Sequence, residues 1–175
     1  ILTIMLGPAV MSGPYRNGNQ PIVDAFLEAQ EPGDTIATVT TRPTLLWPMI
    51  STAEVKLPLR YYHFWMLDTV AKHENLGEDL SPQLLDFTEK VRRQTAEDML
   101  CNPPDTVLVD TWTLSDVGFD FLGFFMKSAD FADIFTAYEH DGRLGIFDVY
   151  RRVADLPEPV DIECMKIGVG LKSPA

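Results

Sequence analysis

Long apolar runs, metal-type cysteine spacings, glycine-rich phosphate loops and cationic side chains are all scarce in this sequence, and each shortage removes a class of function. The apolar opening Ile1-Leu2-Thr3-Ile4-Met5-Leu6 is far shorter than the roughly 20 residues that cross a bilayer, and no basic flank or small-residue cleavage site marks it as a secretory signal. It breaks at Gly7-Pro8 into the polar stretch Ser12 to Gln20, which predicts the last turn or two of a severed membrane helix leading into a soluble piece of a longer protein. Only two cysteines occur, Cys101 and Cys164; neither sits in a CxxC or zinc-type spacing, and they read as idle thiols that could form at most one disulfide. Basic residues number 14 against 26 acidic ones, a net charge of -12 that repels phosphate backbones and anionic headgroups, so nucleic acid is excluded as a partner. The three histidines, His63, His73 and His140, show no HExxH-like spacing, and no metal site is expected. Neither a dinucleotide fingerprint nor a P-loop is present, and no cofactor is expected. A serine triad lacks its GxSxG elbow.

What remains is an ordinary globular composition: 175 residues at 46% hydrophobic content can bury one domain's core. Strand-like and helix-like segments alternate, which predicts an α/β fold. Asn19-Gln20-Pro21 starts a helix over about Pro21 to Gln30, with Ile22, Val23, Phe26 and Leu27 on one face. Thr35 to Thr40, rich in β-branched residues, predicts a central strand ending in Thr40-Thr41-Arg42-Pro43. Leu45 to Ile50 is too apolar to face water, Val55 to Leu67 has no clear period, and His73 to Asp79 reads as a polar loop. Ser81-Pro82 opens the clearest helix, with Leu84, Thr88, Val91, Thr95 and Met99 on one face, which stops before Asn102-Pro103-Pro104. Thr106 to Asp110 reads as a strand buried on both faces of a parallel sheet. Phe119 to Tyr138 is dense in phenylalanine and divides into two helical pieces at Ser128-Ala129-Asp130. Asp141-Gly142 predicts the turn of an antiparallel edge hairpin, and the domain ends near Val153. The expected architecture is a three-layer α/β sandwich with a mostly parallel sheet and that edge hairpin, over residues 19–153, after a membrane-helix end and linker at 1–18 and before a tail at 154–175.

Candidate chemistry gathers at the carboxyl ends of the two strands, where open α/β sheets place their ligands. Asp110 stands there, but a phosphatase-type nucleophile would want a second carboxylate two residues on, where Trp112 lies; an aspartate that caps its loop or pairs with an arginine is the simpler reading. Thr40-Thr41-Arg42 reads as loop packing. Arg60-Tyr61-Tyr62-His63-Phe64-Trp65, with Trp47, forms either plain core or an aromatic cleft that stacks on sugar rings, with Arg60 or His63 fixing a hydroxyl or phosphate.

The order of Gly33-Asp34-Thr35-Ile36, Trp47-Pro48, Arg60 to Trp65, Pro103 to Asp110, Phe119-Asp120-Phe121-Leu122 and Phe147 to Arg152 resembles the carboxy-terminal soluble region of bacterial polytopic membrane glycosyltransferases that use lipid-linked donors, similar to the protein mannosyltransferases. The resemblance implies a periplasmic domain on the outer face of the inner membrane, attached to its own membrane-spanning portion, with a glycan or lipid-linked sugar as ligand. It also implies that catalysis sits in the membrane part, so no residue here is catalytic. Trp47, Arg60, His63, Trp65 and Asp110 are the candidate substrate-binding residues. Two other readings remain open: a non-catalytic acidic interaction or ligand-binding domain, and a small hydrolase built on Asp110.

Overall fold

Two short runs in which every residue is buried, Ile36–Val39 (β1) and Thr106–Asp110 (β2), form the parallel centre of the sheet. They appear in a computed structural model that describes residues 20–42, 54–113, 115–159 and 162–164. The apolar opening Ile1 to Leu6 and the stretch Leu45 to Ile50, including Trp47, lie outside the described residues. Before β1 comes α1 (Gln20–Glu28); between the strands, α2 (Leu67–Leu76) and α3 (Pro82–Cys101) supply the long crossover that a parallel pair requires. After β2 come α4 (Phe121–Met126), α5 (Ala129–Phe135), β3 (Tyr138–Leu144) and β4 (Phe147–Arg152).

The fold is mixed α/β with an open four-stranded sheet in the order β1-β2-β4-β3. Ile36 to Val39 pair in parallel with Thr106 to Val109, while β4 runs antiparallel to both β2 and β3. The sheet is therefore not mostly parallel as expected. A two-residue connection allows only antiparallel neighbours, and β4, carrying buried Phe147 and Val149, takes the inner place. The charged β3, with Glu139, His140, Asp141 and Arg143, is left at the edge, where such residues discourage further pairing.

The hairpin forms where the sequence predicts an antiparallel edge, but its turn is at Gly145-Ile146, between the paired Leu144 and Phe147. Gly145 takes φ 60°, the positive value that the first turn position of a tight hairpin demands. Asp141-Gly142 instead makes a bulge: His140 pairs with Tyr150 and Gly142 with Val149, leaving Asp141 as the extra residue. The insertion reverses the side-chain alternation, so Tyr138 joins one apolar cluster while Leu144 packs against the other.

The first cluster draws Ala37, Val39, Val107 and Val109 from the sheet and the inward residues of α2, α3, α4 and α5. Phenylalanines run through it from Phe64 to Phe125, Phe131 and Phe135, with neighbouring ring centres 5.2 to 5.4 Å apart. The second joins Val23 and Leu27 of α1 to Ile36, Leu108, Phe147 and Val149. Local chemistry fixes the helix ends: Ser81 accepts from the Leu84 amide and Ser128 from the Phe131 amide. The cysteines are not idle: Cys101, the last residue of α3, is bonded to Cys164, 63 residues on, with Cα atoms 5.4 Å apart. No local pattern connects positions so far apart, which is why spacing alone could not pair them.

Candidate functional site at the carboxyl edge of the parallel pair

Because β1 and β2 run in parallel, the segments that follow them, Thr40-Thr41-Arg42 and Thr111-Trp112-Thr113, emerge side by side. Asp110, 1% exposed, is the centre of what holds them. Its Oδ1 accepts the backbone amides of Thr111 at 2.8 Å and Trp112 at 3.0 Å. Its Oδ2 accepts the Thr40 hydroxyl at 2.7 Å and faces the Arg42 Nε at 3.7 Å. Burial pushes the Asp110 carboxyl up from its ordinary value, against the opposing pull of Thr40, the Trp112 amide, Arg42 and the Thr111 amide. Arg42 continues across the gap, donating through Nη2 to the Thr113 carbonyl at 2.8 Å and to Asp116 at 3.1 Å. Both oxygens of Asp110 are thus engaged inside the protein. This is the geometry of a loop clamp, and it presents no carboxylate to an incoming phosphate or ester.

The segment from Arg60 to Trp65 closes over the end of β1 through the Thr38 hydroxyl, which donates to the Tyr62 carbonyl at 2.9 Å, and the Phe64 amide, which donates to the Thr40 carbonyl at 2.6 Å. Its candidates part company. Arg60 turns to α3, where Nε and Nη2 grip buried Asp98, the Nη2–Oδ1 distance being 2.7 Å, and the Arg60 amide adds a bond at 2.8 Å. That pairing, led by the hydrogen bonds to Asp98, raises the Arg60 pKa further. Arg60 therefore anchors its segment to α3 through Asp98. His63 lies tilted against Tyr62 with ring centres 4.3 Å apart, its Nδ1 is buried without a hydrogen-bond partner among the described residues, and burial lowers its pKa. Trp65 is 62% exposed.

Trp112, 47% exposed, is a residue the sequence reading passed over. Its position reads from sequence only as the place where a second carboxylate is missing, although an aromatic two positions past a buried strand, at the carboxyl edge of an α/β sheet, is itself a signal. A hydrogen-bonded pair links the surroundings of the two tryptophans. Asp68, three residues after Trp65, accepts from the amide and hydroxyl of Ser115, three residues after Trp112, at 3.0 and 2.7 Å. Burial pushes the Asp68 carboxyl up, but Lys72, Ser115 and Thr113 together hold it down to about 2. The edge thus combines a rigid buried clamp with large exposed rings.

No family model, curated protein or solved structure matches this chain. Among the described residues no group of three or more His, Cys, Asp or Glu side chains could hold a metal ion. No described helix is long and apolar enough to cross a membrane.

Proposed function

We propose that this chain is the extracytoplasmic domain of a membrane glycosyltransferase with a lipid-linked sugar donor, and that it serves as an accessory surface binding the glycan acceptor while catalysis occurs in the membrane part. The observation that carries this reading is the pair of exposed tryptophans, Trp65 and Trp112, held at one sheet edge by the Asp110 clamp and the Asp68–Ser115 link. Indole faces suit the apolar faces of sugar rings, and a rigid frame limits the entropy lost when a ring settles on them. The Asp110 geometry supports a binding role over the hydrolase reading, since its oxygens are already satisfied. The Cys101–Cys164 bond supports a periplasmic site, because disulfides persist in oxidising compartments. The two apolar clusters support a three-layer reading, with α1 on one face of the sheet and α2 to α5 on the other.

The test is transfer by the full-length enzyme carrying Trp65→Ala and Trp112→Ala. Removing both stacking faces, at ~1 kcal/mol each, should raise the acceptor KM about tenfold or more, with the donor KM unchanged. Unchanged acceptor kinetics in a folded double variant would sink the acceptor role. The membrane assignment is checked by the complete reading frame: several spans of roughly 20 apolar residues before Ile1 are expected. A frame that opens at Ile1 would leave a freestanding acidic binding domain.

A further inference from the structure

Beyond β4 the chain turns back across α3 and α5. Pro157, Glu158 and Ile162 then line a groove of about 460 Å³ whose other wall includes Ala96, Leu100 and Ile134. Little holds this returning strap. The last backbone bond before it is the Val153 amide donating to the Ala137 carbonyl at 2.8 Å. From 154 onward the described residues form no hydrogen bond and no ion pair with the rest of the protein, and only Leu156 packs against the apolar core. Charge works against contact: the strap carries Asp155, Glu158 and Glu163, and Asp130 and Asp133 line the groove, whereas Glu97 there is already paired with Arg93 and Arg60. Opposing these tendencies is one covalent link, from partly exposed Cys101 to exposed Cys164.

We infer that the Cys101–Cys164 disulfide is a redox-controlled clasp that keeps the C-terminal strap over the α3–α5 groove and releases it on reduction. The reductant is a dithiol. Its thiolate attacks the exposed Cys164 sulfur, forming a mixed disulfide as the bond to Cys101 breaks and Cys101 leaves as a thiolate. The second thiol of the reductant then closes its own disulfide and frees Cys164. Two electrons pass to the protein, and the two new thiolates take up the two protons that the dithiol gave up. Once free, the described strap residues keep only the packing of Leu156 and the groove contacts of Pro157 and Ile162 against like-charge repulsion, so the strap leaves, and the apolar wall at Ala96, Leu100 and Ile134 opens to solvent. This inference stands apart from the acceptor surface, which lies at the sheet edge.

Digestion of the intact protein by a glutamate-specific protease tests it, comparing oxidised protein, protein reduced with dithiothreitol, and Cys164→Ser. Cleavage after Glu163 should be about tenfold faster or more in the reduced and Cys164→Ser proteins, because cutting follows the population of the open segment. Glu97 on α3 should stay uncut, far-UV circular dichroism should hold, and raising the salt from 50 to 500 mM should slow the cleavage by screening the repulsion. Equal rates at Glu163 in the oxidised and reduced forms would overturn the clasp. So would reduction that abolishes the dichroism and exposes Glu97 at the same rate, since the bond would then be holding the whole fold and not the strap.

Discussion

At the scale of single residues, the carboxyl edge of the parallel pair depends on a few buried charges whose partners can be removed one at a time. Asp110→Ala leaves the Thr111 and Trp112 amides, the Thr40 hydroxyl and Arg42 without their acceptor, and should cost ~3 kcal/mol in urea unfolding. Asp110→Asn keeps an oxygen for the two amides but sets an NH2 toward Arg42, and a loss of ~1–2 kcal/mol is expected. Equal losses for the two variants would show that the amide bonds carry nothing. Arg60→Ala isolates Asp98, only 2% exposed, and should be destabilising by ~3–5 kcal/mol, while Arg60→Lys cannot restore the forked contact. Asp68 sets a pH limb. Its carboxyl is held down to about 2 in the fold, so its stabilisation is complete above the ordinary carboxylate pKa of about 4 and is lost as pH falls from there toward about 2. Acid unfolding of Asp68→Asn should accordingly be flatter across that window than that of the parent. Of the candidate residues, Asp110 was legible in its place and in its structural role. Arg60 was not: its sequence neighbours are aromatic, and nothing near it announces Asp98, 38 residues away on the inner face of α3.

Among the elements, the short α4 offers a sharper test than its length implies. Gly123 lies inside it, and a methyl group there would collide with the carboxylate of Asp120, the residue that caps the helix by accepting from the Gly123 amide at 2.8 Å. Alanine ordinarily gains ~1 kcal/mol over glycine in a helix, and a lost cap costs ~1 kcal/mol. Gly123→Ala alone should thus be nearly neutral, whereas the same change in an Asp120→Ala background should stabilise by ~1 kcal/mol. Thermal unfolding of the four proteins closes the cycle, and additive effects would mean that the clash does not exist. The helix starting at Ser81 and the strands at Thr35 and Thr106 were readable because caps and runs of β-branched residues are local signals. Ser128 likewise divides α4 from α5 as its hydroxyl predicts. The helix α2 was not readable. It starts at Leu67, just past the aromatic stretch, and its last turn falls in what reads from sequence as a polar loop, with buried Leu67, Val70 and Ala71 too few to set a period. Asp-Gly at 141–142 misled for a different reason: positive φ serves a bulge as well as a turn, and Gly142 at φ 107° makes the bulge. Gly145, at φ 60°, supplies the turn itself, so Gly145→Val should cost ~1–2 kcal/mol in unfolding experiments.

For the whole molecule, strand order and cross-linking were the parts that no local pattern could carry. The run Thr106 to Asp110 speaks for burial on both faces, and that is what the two apolar clusters provide, yet its partner β4 arrives antiparallel from beyond two helices and β3. Burial on both faces does not by itself require a parallel neighbour. The disulfide has the same long reach, and its energetic effect should be felt across the chain. Closing a loop of 63 residues restricts the unfolded ensemble by about 4 kcal/mol in the chain-entropy model. Since the described residues after Val153 make no hydrogen bonds, hardly any of that comes from their contacts. Two measurements separate the effects. Global stability in urea should fall by about 4 kcal/mol on reduction and by the same amount in Cys101→Ser, whereas truncation after Val153, which removes the cross-link and the strap together, should be no worse than reduction alone. A truncated protein markedly less stable than the reduced full chain would mean that the strap packs on the core independently of its bond to α3.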